Sequence, residues 1–391
     1  GKYSHLFLLD PNTGELTDLM PDLAADVPTR PWGGMEQVAV APDGSEVLFT
    51  AKILPGSEPA WSTDYDVYAV KPDGSGDMSC LSAANEAWDT TPVFSPDGDQ
   101  LVWLAMDRPG FEADRFHYER RTWPGLDELS DVYLDLEVDD RTLKMSLGQP
   151  LFAEKGRTVY TTIDYLGQHD IVKVDTDDGD GEIVVRDGAN RSLTWADDRL
   201  LYLKNHLRSP NEIHTVKTSG KDERRITGFN DEALAATLMG ETEQFTFRGW
   251  NDELVYAYVV RPYDWSEAKA AAGQTWPVAF LVHGGPQGSF GNDFHYRWNP
   301  QAYVGAGFTT VAVDFHGSVG YGQDFTDSIS GHWGDRPLED LERGLDAALE
   351  RYPWMDGDRV VAAGASYGGY MINWMHGQPF GERFEAFVCH D

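Results

Sequence analysis

A hairpin signature recurs through the first 240 residues and limits what this chain can fold into. The copies are found at residues 40–44, 94–98, 151–156 and 193–198. In the two clearest copies a Pro-Asp-Gly turn separates two short apolar segments. Proline presets φ, aspartate bonds to its own backbone, and glycine accepts a positive φ, so each copy predicts a strand, a tight turn and a second strand.

Further hairpins lie between these copies, as at residues 6–16 and 66–74. Two hairpins per repeat make a four-stranded unit, and a spacing of about 40 to 60 residues is typical of propeller blades. The sequence therefore predicts a partial β-propeller of four to five blades, with an irregular β-sandwich as the alternative. Because propellers close with more blades, we expect the chain to be cut at its N-terminal side.

The pattern changes between residues 236 and 246. Apolar strands are predicted at residues 254–260, 277–282, 308–314 and 360–364, and a helix with leucines at helical spacing at residues 337–351. Apolar strands that alternate with helices indicate a doubly wound, mostly parallel sheet, as in an α/β-hydrolase. We therefore expect incomplete propeller blades in residues 1–240 and the first part of an α/β-hydrolase domain in residues 241–391.

The charge balance narrows the choice of partners. Asp and Glu number 65 against 31 Lys and Arg, a formal net charge of −34, and the acids are scattered along the chain. Such a surface repels phosphate backbones, so nucleic acid is excluded as a partner. Adaptation to a salt-rich cytoplasm, where self-repulsion is screened, is one explanation, and a plain acidic surface is the other.

Cellular location follows from what the sequence lacks. No apolar run is long enough to span a membrane, and no signal peptide is visible after Gly1. Cys80 and Cys389 are the two cysteines and lie far apart in sequence, which argues against a disulfide framework. We expect a cytoplasmic protein without a membrane partner, and the sequence predicts no metal site and no cofactor.

The strongest chemical signal is the segment Gly364-Ala365-Ser366-Tyr367-Gly368. It follows a predicted buried strand and precedes a helix-like stretch, which is the context that a nucleophile elbow requires. Small residues around Ser366 allow strand and helix to approach closely, so the hydroxyl is exposed on a strained turn. We predict that Ser366 is a catalytic nucleophile; the alternative is a glycine-rich turn with an incidental serine.

A second signal, His283-Gly284-Gly285-Pro286, ends the predicted strand 277–282. In α/β-hydrolases this loop supplies one amide of the oxyanion hole and the residue after the nucleophile supplies the other. These donors are predicted to be Gly285 and Tyr367. His283 precedes the nucleophile in sequence and lies in a loop that is unsuited to carry a general base. We therefore predict that His283 is a structural, hydrogen-bonding histidine.

Taken with residues 317–322 and 356–360, these motifs resemble the prolyl oligopeptidase family, on its acylaminoacyl peptidase and type-five dipeptidyl peptidase branch. The resemblance is close over residues 245–391 and looser before them. It implies a serine peptidase that acts on short peptides. One departure is His316, where relatives commonly have arginine. The resemblance also suggests that Glu112 binds a substrate's free amino group and that Arg115 braces Glu112; a solvated charged loop is the alternative.

The resemblance implies a triad in the order Ser, Asp, His, with acid and base well downstream of Ser366. His376, His390 and Asp391 are too close to fold back to the hydroxyl, so we expect the triad Asp and His to lie beyond Asp391. Either a complementing chain or a further segment supplies them, or the chain is an inactive fragment; we expect the 391 residues alone to be inactive, and a homo-oligomer stays open. The rival functions are a non-catalytic propeller–hydrolase protein that binds a peptide or partner, and an esterase.

Overall fold

A computed structural model of the chain describes residues 2–154 and 156–390. The chain forms two compact units. The first contains residues 1–161 and 172–182, and the second contains residues 162–171 and 183–391. In the described part of the chain, no helix combines the length and the apolar composition needed to cross a bilayer.

The first unit consists of short antiparallel sheets. Its strands are β1 (Phe7–Leu9), β2 (Leu16–Asp18), β3 (Val38–Val40), β4 (Val47–Ala51), β5 (Asp66–Val70), β6 (Met78–Cys80), β7 (Asp89–Phe94), β8 (Gln100–Ala105), β9 (His117–Thr122), β10 (Leu134–Val138), β11 (Arg141–Met145) and β12 (Leu151–Phe152). Three further strands, β13 (Thr158–Tyr165), β14 (Gln168–Asp175) and β15 (Gly181–Val185), contribute residues to both units. Strands β3–β6 form a four-stranded sheet, and β7–β9 a three-stranded one.

The predicted turns join the first two strands of successive sheets. Gly44, with φ 72°, lies between β3 and β4, and Gly98, with φ 76°, lies between β7 and β8. In each turn the glycine amide bonds back to the residue three positions earlier, at 2.8 and 2.9 Å. Asp197, with φ 55°, takes a corresponding place in the fourth copy. The predicted hairpin repeats are therefore confirmed.

After its parts of β13–β15, the second unit contains a further antiparallel group, β16 (Ala189–Ala196), β17 (Arg199–His206), β18 (Ser209–Lys217) and β19 (Arg224–Arg225). The remaining elements are α1 (Asp231–Ala235), β20 (Thr242–Arg248), β21 (Leu254–Val260), α2 (Glu267–Ala271), β22 (Trp276–Val282), α3 (Pro300–Gly305), β23 (Thr309–Asp314), α4 (Gln323–Asp327), α5 (Arg336–Arg351), β24 (Met355–Ala365), α6 (Tyr367–His376) and β25 (Ala386–His390). Helix α5 buries Leu341 and Leu345 completely, as its leucine spacing predicts.

The large sheet of this unit has the order β20-β21-β23-β22-β24-β25. Strands β20 and β21 pair antiparallel, and β23, β22, β24 and β25 run parallel to one another. Because β23 and β24 flank β22 on opposite sides, the winding of the sheet reverses there. The prediction of a doubly wound, mostly parallel sheet is confirmed, and ligands in such sheets bind at the carboxyl ends of the strands around this reversal.

The prediction for one strand was too short. Residues 360–364 were expected, whereas β24 begins at Met355. Met355 and Asp356 pair with Trp276 and Pro277 of β22, and the register shift between Pro277 and Val278 leaves residues 357–359 without a partner on β22. The shift lets polar side chains face solvent there, with Arg359 Nε donating to Asp356 Oδ2 at 2.7 Å.

Candidate active site

Ser366 lies between β24 and α6, in the predicted strand–turn–helix context. Its backbone has φ 55° and ψ −121°, a conformation that L-residues rarely adopt, and its side chain is exposed. Such a conformation costs about 1 to 3 kcal/mol and persists only where the surroundings impose it. Here the Ser366 amide donates to the His390 carbonyl at 2.9 Å. The hydroxyl is therefore presented outward by a strained turn, as a nucleophile elbow requires.

Glycines make this turn sterically possible. A Cβ on Gly368 would lie 2.2 Å from the Val282 carbonyl oxygen, and one on Gly364 would lie 2.5 Å from the Gly368 carbonyl oxygen. Real Cβ atoms do not approach backbone oxygens that closely. The first turn of α6 consequently packs directly against the ends of β22 and β24.

The predicted oxyanion loop lies beside the nucleophile. Val282 pairs with Gly364, so the chain leaving β22 emerges next to the chain leaving β24. A Cβ on Gly284 would lie 3.4 Å from the Ser366 Cβ. Among the described residues, the amides of Gly285 and Tyr367 donate to no other protein group. Tyr367 is the first residue of α6, where helical amides are unpaired and the helix dipole favours negative charge.

His283 is held inside the unit rather than aimed at Ser366. Its ring stacks on Phe315 with centroids 4.1 Å apart, Nδ1 lies 2.7 Å from the Gly284 carbonyl oxygen, and Nε2 lies 2.8 Å from Ser318 Oγ. Burial lowers the pKa of His283, although Asp314 and the Gly284 carbonyl oppose this effect. The structure thus shows His283 as the buried, hydrogen-bonded histidine that the sequence predicts.

The other nearby histidines make different contacts. The His390 ring packs edge-on against Trp298 at 5.3 Å, and the His376 ring against Phe387 at the same centroid distance. No described histidine or carboxylate bonds to Ser366 Oγ. Asp391 lies outside the described residues, and the expectation that the triad Asp and His lie beyond it stays a prediction.

Glu112 and Arg115 belong to the first unit, whereas Ser366, Gly285 and Tyr367 belong to the second. Glu112 is exposed, and within the described chain no ion pair joins it to Arg115. Arg115 Nη1 instead bonds to Asp135 Oδ1 at 2.6 Å. The predicted functions of Glu112 and Arg115 stay predictions.

The charge of Glu112 acts on a lysine and a tyrosine of the same unit. Lys52 Nζ lies 4.1 Å from the centroid of the Tyr65 ring, which stacks on Trp88. Burial lowers the pKa of Lys52, and the negative charge of Glu112 partly counters that effect. Burial also raises the pKa of Tyr65, with Glu112 adding to the rise.

Sequence reasoning missed Ser318 and Asp314 as parts of this site. Ser318 is fully buried against His283, and Asp314 accepts hydrogen bonds from Ser289 Oγ at 2.5 Å and Phe290 N at 3.0 Å. Asp314 ends β23, the neighbour of β22, and that position at a strand's carboxyl end was the available signal. In the described residues, no cluster of three or more His, Cys, Asp or Glu side chains is arranged to hold a metal ion.

Comparison with known proteins finds a family match in the second unit. Residues 294–391 match the model of the prolyl oligopeptidase family. The chain is 30% identical over 384 residues to dipeptidyl-peptidase 5 of Schizosaccharomyces pombe, covering 96% of this chain and 52% of that protein. The corresponding figures for dipeptidyl-peptidase 5 of Arthroderma otae are 29% over 394 residues, 97% and 52%. The chain thus spans about half the length of the curated relatives it matches.

The fold is also shared with a known structure. The acylaminoacyl peptidase of Pyrococcus horikoshii matches with a TM-score of 0.65 at 19% identity, covering 98% of this chain and 66% of that one. This likeness confirms the predicted fold class, propeller blades followed by an α/β-hydrolase domain. The segment that carries Ser366, residues 294–391, therefore matches the prolyl oligopeptidase family, and 96% of the chain aligns with a curated dipeptidyl-peptidase 5.

Proposed function

We propose that the protein is a serine peptidase that cleaves short peptides through an acyl-enzyme intermediate. The observation that carries this proposal is the exposed Ser366 hydroxyl on its strained turn, beside two amides that donate to no other group among the described residues. Ser366 Oγ attacks the scissile carbonyl carbon, and the Gly285 and Tyr367 amides bind the oxygen that becomes negatively charged. The match of residues 294–391 to the prolyl oligopeptidase family model, and relatives named dipeptidyl-peptidases, support this assignment.

The general base and its orienting acid are proposed to come from a further part of the protein or from another chain, including a second copy in a homo-oligomer. A base near Ser366 takes the hydroxyl proton during attack and returns it to the leaving amine. In the complete protein, Ser366→Ala should reduce turnover of peptide substrates to background. Ser330→Ala, at an exposed serine of the same unit, is the control and should keep wild-type turnover.

We further propose that Glu112 recognises the free amino end of the peptide. An exposed carboxylate whose charge already acts on Lys52 and Tyr65 is available to pair with an α-ammonium group. Such pairing fixes the distance from the amino end to the scissile bond and favours release of short units. Relatives named dipeptidyl-peptidase 5 support this reading over acylaminoacyl peptidase activity, in which the blocked substrate is preferred.

Paired substrates test this recognition. Dipeptide anilides with a free amino end should be hydrolysed faster than their N-acetylated forms, and Glu112→Gln should remove most of that difference. Glu137→Gln, at an exposed glutamate of the same unit, is the control. Equal turnover of both substrates by the wild type and by Glu112→Gln would return Glu112 to a solvated loop without a binding function.

For the molecule as a whole, we propose a salt-rich cytoplasm as the setting and exclude nucleic acid and membranes as partners. The net charge of −34 and the two free cysteines, Cys80 and Cys389, support this. Fractionation of the source cells, followed by immunodetection, tests the location.

We also propose that the hydrolase domain starts at residue 241, just before β20; limited proteolysis that cuts first near residues 236–241 would support this boundary.

A further inference from the structure

We propose that Ser318 is a positioning residue for the oxyanion hole, acting through the His283 imidazole on the peptide unit that carries the Gly285 amide. This inference rests on the proposed function, because it assigns a purpose to the orientation of that amide. Ser318 does not touch the reacting atoms. It lies in the loop after β23 and is completely buried.

The hydrogen-bond partners of His283 determine where its proton lies. The Gly284 carbonyl oxygen can only accept, so Nδ1, 2.7 Å away, carries the hydrogen. Burial lowers the pKa of His283, which keeps the ring neutral and leaves Nε2 as an acceptor. The Ser318 hydroxyl, 2.8 Å from Nε2, then donates to it. The order of donation is Ser318 Oγ to His283 Nε2, and His283 Nδ1 to Gly284 O.

Because the peptide bond is planar, the hydrogen bond to the Gly284 carbonyl also orients an amide of the oxyanion hole. The Gly284 carbonyl and the Gly285 N–H belong to one trans peptide unit and point in opposite directions. Fixing the carbonyl with the imidazole therefore fixes the direction of the N–H. Gly285 has φ 117° and no side chain, so it does little by itself to restrain the orientation of its N–H.

Ser318 is well placed for this task because its own backbone is held. Its amide donates to the Phe315 carbonyl at 3.0 Å, and Thr326 Oγ1 donates to its carbonyl at 3.2 Å. Asp314 is a poorer partner for the ring, since Oδ1 lies 3.9 Å from His283 Nε2 and its oxygens accept from other groups. A preorganised dipole of this kind stabilises the transition state without reorganising during reaction.

The kinetic test uses the complete, active protein. Removing one oxyanion donor costs about 100- to 1000-fold in kcat, so misorienting one through Ser318→Ala should lower kcat about tenfold with KM within about twofold. Ser318→Thr, which keeps the hydroxyl, should recover most of the loss. Ser328→Ala removes a hydroxyl that bonds to the Phe325 carbonyl nearby and should leave kcat unchanged.

A second measurement is independent of turnover. In protein labelled with 15N-histidine, the His283 signals, assigned by their loss in His283→Asn, should show a neutral ring protonated at Nδ1. Ser318→Ala should shift the Nε2 resonance, because that nitrogen loses its donor. A ring protonated at Nε2, or Ser318→Ala with wild-type kcat in a folded protein, would overturn the inference. Turnover that survives Ser366→Ala would instead refute the proposed function and leave the histidine measurement valid.

Discussion

At the scale of single residues, burial determines the protonation of Asp89 in the first unit. The side chain is fully buried; Oδ1 accepts from Trp103 Nε1 at 2.8 Å, and Oδ2 has no partner within the described chain. Burial raises the pKa of Asp89 to about 8, with Glu119 adding to the rise and Trp103 opposing it. The folded protein therefore binds a proton here at pH values where the unfolded chain has lost it.

The pH dependence of stability follows from that difference. The stabilising contribution of the protonated carboxyl is complete below pH about 4 and is lost as pH rises to about 8. The side chain of Asp89→Asn cannot ionise. In urea unfolding at pH 8.5, the free energy of unfolding of Asp89→Asn should therefore exceed that of the wild type by roughly 3 to 6 kcal/mol. At pH 4.5 the two proteins should differ little. Asp99→Asn, at an exposed residue in the turn between β7 and β8, is the control. An equal effect of Asp89→Asn at both pH values would contradict the assignment.

The sequence predicted some of these residues and not others. Ser366 could be found because its motif is local: the glycines and the serine that form the turn lie within five consecutive residues, 364–368. Ser318 and Asp89 could not, because their chemistry depends on partners distant in sequence. Ser318 meets His283 across 35 residues, and Asp89 meets Trp103 across 14. Nothing in the sequence around either residue indicates which side chain it will contact.

At the scale of elements, the site depends on how closely α6 approaches β22. A Cβ on Gly368 would meet backbone oxygen at 2.2 Å, whereas the nearest atom to a Cβ on Gly377, just after α6, lies at 3.5 Å. Gly368→Ala should therefore push α6 away from the oxyanion loop and lower kcat at least 100-fold, with a lower Tm. Gly377→Ala should change neither by much. Wild-type kcat in Gly368→Ala would contradict the close packing described for the elbow.

Elements were predictable where their periodicity was unambiguous. The strand at residues 254–260 has the predicted bounds, and helix α5 begins one residue before the predicted start. The early start of β24 was missed because polar residues 357–359 separate its first two residues, which pair with β22, from the apolar run that begins at Val360. Those three residues have no partner on β22, and a hydrophobic pattern does not predict a strand that is interrupted by solvent-facing residues.

At the scale of the whole molecule, the excess of carboxylates should make stability depend on salt. With a net charge of −34, repulsion between exposed acids opposes the compact state in dilute buffer. The Debye length falls to about 3 Å at 1 M salt, which screens most of that repulsion. Tm should rise steeply from low to molar KCl, while sucrose at matched osmolality should have a smaller effect. A Tm that does not change with KCl would show that the acidic composition has another cause.

The central claim is that Ser366 is the single nucleophile of a serine peptidase. A fluorophosphonate probe reacts with activated serines, and its phosphoryl oxygen occupies the oxyanion hole, so labelling reports both parts of the site. In the complete protein, mass spectrometry should locate the adduct on the peptide that contains Ser366, and Ser366→Ala should abolish labelling. An adduct on another serine, or labelling that persists in Ser366→Ala, would contradict the account.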